Sequence, residues 1–238
     1  MNIMIVGASR GLGRALAEGL GRAGDTVVGV SRRRPDALTA VEGVQLEWIE
    51  ADLSVAGEAA SAIEAQAPAE LDVLICNVGL WEEEAFSEGY CFLSDSDESI
   101  GRMVDVNITA TLFLLRRLVP RLLDSSRPQL ILTGSTSGLR QSGRPEVTFG
   151  ASKFALNGMA DALREGFRDS RLAVSVLQLG YLNTEDPLTT PLADAARRGG
   201  GHQVPVHDVV RMVDALLQLS GASFVRELVL PAIRDERF

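Results

Sequence analysis

A glycine-rich run near the start of the chain has the residue types and spacing of a phosphate-binding loop. Gly7, Gly11 and Gly13 follow an apolar run that is predicted to be a strand, and they open a segment with helical periodicity. In such a loop the first glycine permits a tight turn, the second lets the backbone approach a pyrophosphate, and the third lets helix and strand pack closely. The phosphates then lie at the amino terminus of the helix. The run therefore predicts a dinucleotide site. The other residues of this loop that we assign to the site are Ser9, Arg10 and Leu12.

Arginines mark the position where the adenosine ribose of a dinucleotide would lie. Arg32 belongs to the run Ser31-Arg32-Arg33-Arg34, which follows the second predicted strand, and no carboxylate ends that strand. A carboxylate at this point binds the ribose 2′-hydroxyl, whereas an arginine accommodates a 2′-phosphate. The pattern favours NADP(H) over NAD(H). We expect Arg10 and Arg32 to make the contacts, with at least one of the other arginines on a solvated turn.

Strand-like runs alternate with helix-period segments along the whole chain, and this alternation predicts how the candidate residues are positioned. The predicted strands cover 2–6, 26–30, 45–50, 71–76, 129–133, 172–179 and 227–230. The predicted helices cover 12–23, 55–67, 97–123, 149–169 and 206–219. Such alternation is typical of a parallel sheet with helices on both faces. We therefore expect one α/β domain over 1–238, a doubly wound Rossmann-type domain with a parallel sheet of about seven strands.

Two segments between these elements are expected to be long loops over the strand ends, where they would shape a substrate site. They cover 81–98 and 185–205. The run Glu82-Glu83-Glu84 is predicted to be solvated, and Arg144 is predicted to be exposed. Aromatic residues make up only 5% of the chain, which argues mildly against a large stacking pocket.

Composition and charge exclude several classes of protein. The net charge of −9 disfavours binding to nucleic acids or to anionic membranes. No apolar run approaches the roughly 20 residues that a membrane-spanning helix needs. Cys76 and Cys91 are too few for a disulfide framework, and no cluster of His, Cys and Asp has the spacing of a metal site. We expect a cytoplasmic protein with a small-molecule substrate and with no metal, nucleic-acid or membrane partner.

Several motifs, taken in order, resemble those of the short-chain dehydrogenase/reductase family. They are the glycine loop, Asn77-Val78-Gly79, Asn107, Ser135 and Phe149-Gly150-Ala151-Ser152-Lys153. The resemblance covers most of the chain and implies hydride transfer between NADP(H) and a carbonyl or alcohol. It also implies adenine contact by Asp52 and Leu53, a cofactor-lining turn from Asn77 to Gly79, and a bond from Thr184 to the nicotinamide carboxamide. On its residues alone, Asp52 could instead cap the helix near residue 55.

The resemblance also assigns the catalytic residues. Ser135 matches the serine that holds the substrate oxygen, with Ser137 as a weaker candidate. Lys153 matches the lysine that binds the nicotinamide ribose, and Asn107 matches the asparagine of the proton relay. Phe149 stands where the family has the tyrosine that gives or takes the proton. Because phenylalanine has no hydroxyl, the chain lacks a general acid whose loss typically costs about 10²–10⁴-fold in rate.

Three explanations of Phe149 stay open on the sequence. It is an engineered replacement of tyrosine in an ordinary reductase. Alternatively, the native reductase takes its proton from water, from Tyr181 or from a substrate such as a protonated imine. In the third explanation the protein binds nucleotide without redox turnover, in a non-redox or regulatory role. The resemblance further implies a homodimer or homotetramer that pairs helices 97–123 and 149–169, although the carboxyl-terminal run lacks the ending common in tetrameric members.

Overall fold

A parallel sheet of seven strands forms the centre of the computed structural model, in which residues 1–237 are described. The strands of the chain are β1 (Asn2–Val6), β2 (Thr26–Ser31), β3 (Gln45–Glu50), β4 (Val73–Cys76), β5 (Gln129–Thr133), β6 (Ala173–Leu179), β7 (Leu182–Asn183), β8 (Val204–Pro205) and β9 (Glu227–Leu230). The order in the large sheet is β3-β2-β1-β4-β5-β6-β9, and β7 pairs with β8 separately. All pairs are parallel. The predicted doubly wound α/β fold with about seven parallel strands is confirmed.

Helices cover both faces of this sheet. They are α1 (Gly11–Gly19), α2 (Ala56–Gln66), α3 (Asp97–Val104), α4 (Ala110–Leu123), α5 (Val147–Gly166), α6 (Leu192–Gly199) and α7 (Val206–Leu217). The predicted helix 97–123 is divided into α3 and α4 by a turn of π-helix, Asp105–Thr109. The predicted helix 12–23 ends four residues early, and Gly21 follows its end with a φ of 89° that a right-handed helix does not allow.

The prediction of one long loop over 185–205 is wrong, because that segment contains α6 and β8. Pro191 lies before the first turn of α6, and Gly200 ends the helix with a left-handed φ of 58°. Only Ala195 and Gly199 of this polar helix are buried. A helix of eight residues is marginal by itself, so its packing on the domain, which the sequence pattern does not show, stabilises it.

Alternating residues of the central strands face two separate hydrophobic clusters. On β1, Met4 and Val6 pack beneath α2, α4 and α5, whereas Ile3 and Ile5 pack beneath α1 and α7. These four side chains are fully buried. Because every strand of the sheet is parallel, the carboxyl ends of β1, β2, β4, β5 and β6 lie along one edge. The segments that follow those ends carry the candidate site residues.

Candidate active site

One cavity of about 900 Å³ lies over the carboxyl ends of the strands and collects most of the predicted site residues. The predicted residues that line it are Gly7, Ser9, Arg10, Gly11, Leu12, Arg32, Asp52, Leu53, Asn77, Gly79, Ser135, Phe149, Lys153 and Thr184. Gly13 and Asn107 are the two predicted residues outside its lining. The cavity thus joins the glycine loop at one end to the serine and lysine at the other.

Glycine is required at two positions of the loop between β1 and α1. Gly7 has a φ of 86°, and a Cβ there would lie 2.2 Å from the main-chain oxygen of Asn77. A Cβ on Gly13 would lie 1.9 Å from the main-chain oxygen of Gly7, which also accepts a hydrogen bond from Asn77 Nδ2 at 3.2 Å. Arg10 is the N-cap of α1, and within residues 1–237 its side chain makes no capping bond. The amino terminus of α1 is therefore available to an anion.

Arginine side chains surround the end of the cavity beyond β2. Arg10 and Arg32 are exposed and line it, and Arg32 acts on Asp52 electrostatically. Asp52 accepts a hydrogen bond from Ser54 N–H at 3.0 Å, and the bonds from Ser54 hold the pKa of Asp52 below its usual range. The N-cap of α2 is Val55, so Asp52 closes the preceding turn instead of capping the helix.

Lys153 is buried at the centre of the cavity floor, where the ends of β4 and β5 diverge. Its Nζ donates to the main-chain oxygens of Val78 at 3.0 Å and of Thr133 at 2.9 Å. An ammonium has three N–H donors, so these two carbonyls leave one for a ligand in the cavity. Burial lowers the pKa of Lys153 from 10.5 to about 8. The lysine is thus held rigidly with one donor free to bind a cofactor hydroxyl.

Ser135 follows β5 and is positioned through both its backbone and its side chain. Its N–H donates to Gln178 Oε1 at 3.1 Å, and its Oγ accepts from Ser137 N–H at 3.1 Å. Because that Oγ acts as an acceptor toward Ser137, its own hydrogen can be donated to an oxygen or nitrogen of a substrate. Ser137 is 7% exposed and lines the same cavity, so both serine candidates lie at the site.

Asn107 lies in the π-helical turn, and its side chain bonds to other residues of the protein instead of lining the cavity. Its Oδ1 accepts from Leu80 N–H at 2.7 Å, and its Nδ2 donates to Leu80 O at 2.8 Å and to Ser152 Oγ at 2.9 Å. Its main-chain oxygen accepts from Thr111 Oγ1 at 2.9 Å. These bonds use the whole side chain, so Asn107 positions the start of the 81–98 segment and the helix of Lys153.

Four aromatic side chains, Trp81, Phe86, Phe149 and Tyr181, form one wall of the cavity, here called the aromatic wall. The ring of Phe86 packs edge to face on Phe149 at 5.3 Å and on Tyr181 at 5.4 Å, and Trp81 lies 6.3 Å from it. Phe86 has a φ of 67°, a conformation that is unfavourable for a residue with a Cβ. The low aromatic content of the chain does not prevent this cluster, because one of the two tryptophans and one of the two tyrosines gather here.

Two buried glutamates hold the aromatic wall from behind. Glu82 Oε1 accepts from the N–H of Phe149 at 3.0 Å, and Glu146 Oε1 accepts from the N–H of Phe86 at 2.9 Å. Glu82 is 1% exposed and Glu146 is 3% exposed. Within the described part of the chain, the second oxygen of each carboxylate is buried without a hydrogen-bond partner. The predicted solvation of the acidic run is therefore wrong for Glu82 and holds for its neighbours Glu83 and Glu84, which are exposed.

Arg144 and Tyr181 close the far end of the aromatic wall. Arg144 Nη2 donates to both carboxylate oxygens of Asp235, at 3.1 and 2.9 Å, and both side chains are almost fully buried. Its guanidinium lies 4.7 Å from the ring centroid of Tyr181. The predicted exposure of Arg144 is wrong, because Arg144 is buried in an ion pair with Asp235. That partner lies 91 residues further along the chain, so the sequence around Arg144 does not reveal it. Burial raises the pKa of Tyr181 above its ordinary value.

Thr184 lies over the glycine loop. Its Cβ and Cγ2 lie 3.3 Å from the position that a Cβ on Gly11 would take. It follows β7, and its side chain is exposed toward the cavity. The structure therefore brings the turn after β6 into contact with the loop after β1.

Residues 1–237 contain neither a cluster of metal-ligating side chains nor a helix that could span a membrane. No group of three or more His, Cys, Asp and Glu side chains in this part of the chain could hold a metal ion. No helix in the same part is long and apolar enough to cross a membrane. His207 Nε2 contacts the main-chain oxygen of Thr190 at 2.8 Å, away from the cavity lining.

The fold and the cavity together define a nucleotide-binding α/β protein with a lysine and serine at the strand ends. Residues 1–190 match the family model described as short chain dehydrogenase. The chain therefore belongs to the short-chain dehydrogenase family, and it is an oxidoreductase of that family.

Two relatives and one solved structure are similar to this chain over 68–98% of its length. It is 25% identical over 236 residues to the 3-oxoacyl-[acyl-carrier-protein] reductase MabA of Mycobacterium tuberculosis, covering 97% of this chain and 90% of that protein. It is 31% identical over 163 residues to an uncharacterized short-chain type dehydrogenase/reductase, y4eK, of Sinorhizobium fredii, covering 68% of this chain and 61% of that protein. The solved Pseudomonas aeruginosa RhlG/NADP active-site complex superposes with a TM-score of 0.75 at 22% identity, covering 98% of this chain and 95% of that chain.

Proposed function

We propose that the protein is an NADP(H)-dependent oxidoreductase that reduces a small-molecule carbonyl or imine by hydride transfer. The observation that carries the proposal is the single cavity, which extends from the glycine loop and two arginines to Ser135 and Lys153. Gly7 and Gly13 let the loop pack closely on Asn77 and on itself, and the amino terminus of α1, with no capping side chain within residues 1–237, adjoins the cavity at Gly11. These residues fit a dinucleotide pyrophosphate. When bound, the cofactor supplies the hydride.

The residues of this chain have separable roles in that reaction. Arg10 and Arg32 bind the 2′-phosphate, and the loop of Gly7, Gly11 and Gly13 receives the pyrophosphate. Lys153 uses its remaining N–H donor on the nicotinamide ribose. Ser135 donates its hydroxyl hydrogen to the reacting oxygen or nitrogen. In support of NADP(H), RhlG is a structural neighbour whose solved complex contains NADP.

The cofactor preference is tested by fluorescence titration with NADPH and NADH. Arg10→Ala and Arg32→Ala are each expected to weaken NADPH binding by about tenfold to a hundredfold, since each removes a charge-assisted phosphate contact. NADH binding should change little. Arg33→Ala is the matched control, because Arg33 belongs to the same run and lies outside the cavity lining. Equal losses for NADPH and NADH would contradict a 2′-phosphate contact.

Proton supply is the step that Phe149 leaves open. Burial raises the pKa of Tyr181, so its hydroxyl stays protonated at neutral pH and can donate. Among residues 1–237 it is the only tyrosine that lines the cavity. Water, Tyr181 and a substrate that already carries the proton are therefore the three sources under the proposal.

Phe149 favours a second candidate function, namely nucleotide binding in a non-redox or regulatory role. Its ring is 5% exposed and has no hydroxyl to activate a carbonyl. Consumption of NADPH with ketones, quinones and imines separates the candidates when the chain is compared with Phe149→Tyr. If only the tyrosine form turns over, Phe149 is a disabling replacement in a ketoreductase. If neither form consumes NADPH although both bind it, the non-redox function replaces the redox one.

We further propose that two copies pair through the faces of α4 and α5. Leu112, Phe113, Val147 and Phe154 are large apolar residues that these two helices expose, each by 41–48%. Large exposed apolar side chains on a helix face are a reason to propose an interaction site there. Light scattering of the native chain is expected to give a dimer or a tetramer. Phe113→Glu with Phe154→Glu should shift the mass to that of the monomer, and a monomeric native chain would refute the pairing.

A further inference from the structure

We infer that the substrate end of the cavity selects a cation, and that the reducible group is the C=N bond of an iminium ion rather than a neutral ketone. The inference rests on the proposed hydride transfer at this cavity. Three independent features carry it: the aromatic wall, the two buried glutamates behind that wall, and the absence of a hydroxyl on Phe149.

The faces of the aromatic wall already attract positive charge within the protein. The guanidinium of Arg144 lies 4.7 Å from the ring centroid of Tyr181, and Nζ of Lys153 lies 5.7 Å from that of Phe149. Both distances fall inside the range of about 6 Å in which a ring face stabilises a cation. Trp81 and Phe86 present further ring surface to the same cavity. A planar cationic substrate is therefore matched in shape and in charge.

The two glutamates give this end of the cavity a negative field. Each accepts one backbone hydrogen bond, from Phe149 for Glu82 and from Phe86 for Glu146. Each also keeps one oxygen that is buried and unpartnered within residues 1–237. Burying a carboxylate is costly unless a positive charge compensates it. A cation on the cavity side of the two rings would supply that compensation.

The other charges near the wall do not cancel this field. Arg144 is neutralised by Asp235, and Tyr181 stays neutral because burial raises its pKa. Lys153 contributes one positive charge, and the amino terminus of α5, where Glu82 accepts from Phe149 N–H, contributes about half a charge more. Glu185 also lines the cavity and adds a negative charge. Arg237 acts on Tyr181 and adds one more positive charge. The three glutamates still exceed these positive charges by about half a charge, which favours a cationic substrate over a neutral or anionic one.

The missing hydroxyl is consistent with the same substrate class. When a ketone accepts hydride, its oxygen becomes an alkoxide that must take a proton, and Phe149 cannot give one. When an iminium carbon accepts hydride, the C=N π electrons become the nitrogen lone pair and the product is a neutral amine. That step needs the hydride of NADPH and no proton. Phe149 thus removes the group that ketone reduction requires and leaves iminium reduction complete.

The test compares a permanent iminium with a neutral ketone of similar size. The probes are N-methyl-3,4-dihydroisoquinolinium and 2-tetralone, with NADPH consumption as the measurement. The chain is expected to reduce the iminium at least about 10²-fold more efficiently than the ketone, the range that a missing general acid costs. Phe149→Tyr is expected to raise ketone reduction by a similar factor, so that the ratio of iminium to ketone kcat/KM falls by about 10²-fold.

Charge selection is tested separately by Glu82→Gln and Glu146→Gln. Glutamine keeps the oxygen that accepts the backbone hydrogen bond and removes the charge. Each change is expected to lower kcat/KM for the iminium relative to that for the ketone by about tenfold, since a buried charge acts across a medium of low effective dielectric. Glu83→Gln is the matched control, because Glu83 is exposed on the same segment and its charge is screened by solvent. Unchanged Tm and NADPH affinity establish that each variant is folded.

The outcomes distinguish this inference from the proposed function. If the chain consumes NADPH with the ketone as efficiently as with the iminium, or if Glu82→Gln and Glu146→Gln lower both rates equally, the cation inference is overturned and the reductase function stands. If NADPH binds and no probe is reduced, the reductase function fails. Calorimetric binding of protonated N-methyltetrahydroisoquinoline against tetralin then decides the cation site. Equal binding overturns it, and preferential amine binding that Glu82→Gln abolishes supports it.

Discussion

Burial of the Lys153 ammonium predicts a measurable pH dependence of the unfolding free energy. The pKa falls from 10.5 to about 8 because the side chain is removed from water. That difference corresponds to about 3 kcal/mol. The unfolded chain keeps its proton up to the higher value, so between about pH 8 and pH 10.5 it binds more protons than the folded chain. Stability from this group is therefore lowest below pH 8 and is recovered as the pH rises to 10.5.

The perturbation is Lys153→Met, which removes the charge and keeps most of the side-chain length. At pH 7 two effects oppose one another. Loss of the buried charge stabilises by up to about 3 kcal/mol, while the unpaired oxygens of Val78 and Thr133 cost about 1–3 kcal/mol each. The net change at one pH is therefore small and not diagnostic. The informative quantity is the difference between the two proteins as the pH is varied.

Urea unfolding of both proteins without cofactor, from pH 7 to pH 10.5, measures that difference. The wild-type free energy of unfolding is expected to gain about 3 kcal/mol relative to Lys153→Met across the upper part of this range. Cys76 and the tyrosines titrate in both proteins, so their contributions cancel in the difference. Two parallel profiles would refute the reasoning, because they would mean that the ammonium is not desolvated in the folded state.

Three further predictions concern residues around the cavity. Gly13→Ala is expected to abolish NADPH binding in a fluorescence titration, because its Cβ would lie 1.9 Å from Gly7 O. Gly158→Ala is the control and should leave the affinity for NADPH unchanged, because a Cβ there would meet no atom of residues 1–237 beyond its own helix within 4 Å. Asp235→Asn is expected to destabilise by about 3–5 kcal/mol in urea unfolding, since it leaves the buried Arg144 charge uncompensated; a loss below 1 kcal/mol would contradict its burial. Asn107→Ala is expected to cost about 2–4 kcal/mol because both backbone groups of Leu80 lose their partners, and unchanged stability would contradict that role.

The sheet and the cofactor loop could be predicted because their signals are local in sequence. Each central strand is a short apolar run, and the glycine loop joins a strand to a helix within seven residues. Right-handed crossovers between such strands then lead to a doubly wound sheet. Gly7, Arg10 and Gly11 line the cavity as predicted, because one short turn of the chain sets the positions of all three.

The substrate end could not be predicted because its contacts join distant parts of the chain. Glu82 is buried by a bond to a residue 67 positions away, and Glu146 by a bond to one 60 positions away. Nothing in the run Glu82-Glu83-Glu84 distinguishes the buried member from the exposed ones. A helical period also does not show the π-helical turn that directs Asn107 to Leu80, and composition does not show that scattered aromatic residues converge.

Several groups at the substrate end of the cavity lower the stability of the folded protein when no ligand is bound. Their retention indicates whether Phe149 marks an inactive site. A buried ammonium at Lys153, two carboxylate oxygens that have no partner within residues 1–237, and Phe86 in a left-handed conformation each destabilise the fold. A bound cofactor and a cationic substrate would compensate these charges. Loss of one hydroxyl at Phe149 leaves all of them in place, so the geometry is that of a binding site with altered proton chemistry and not of a site that has collapsed.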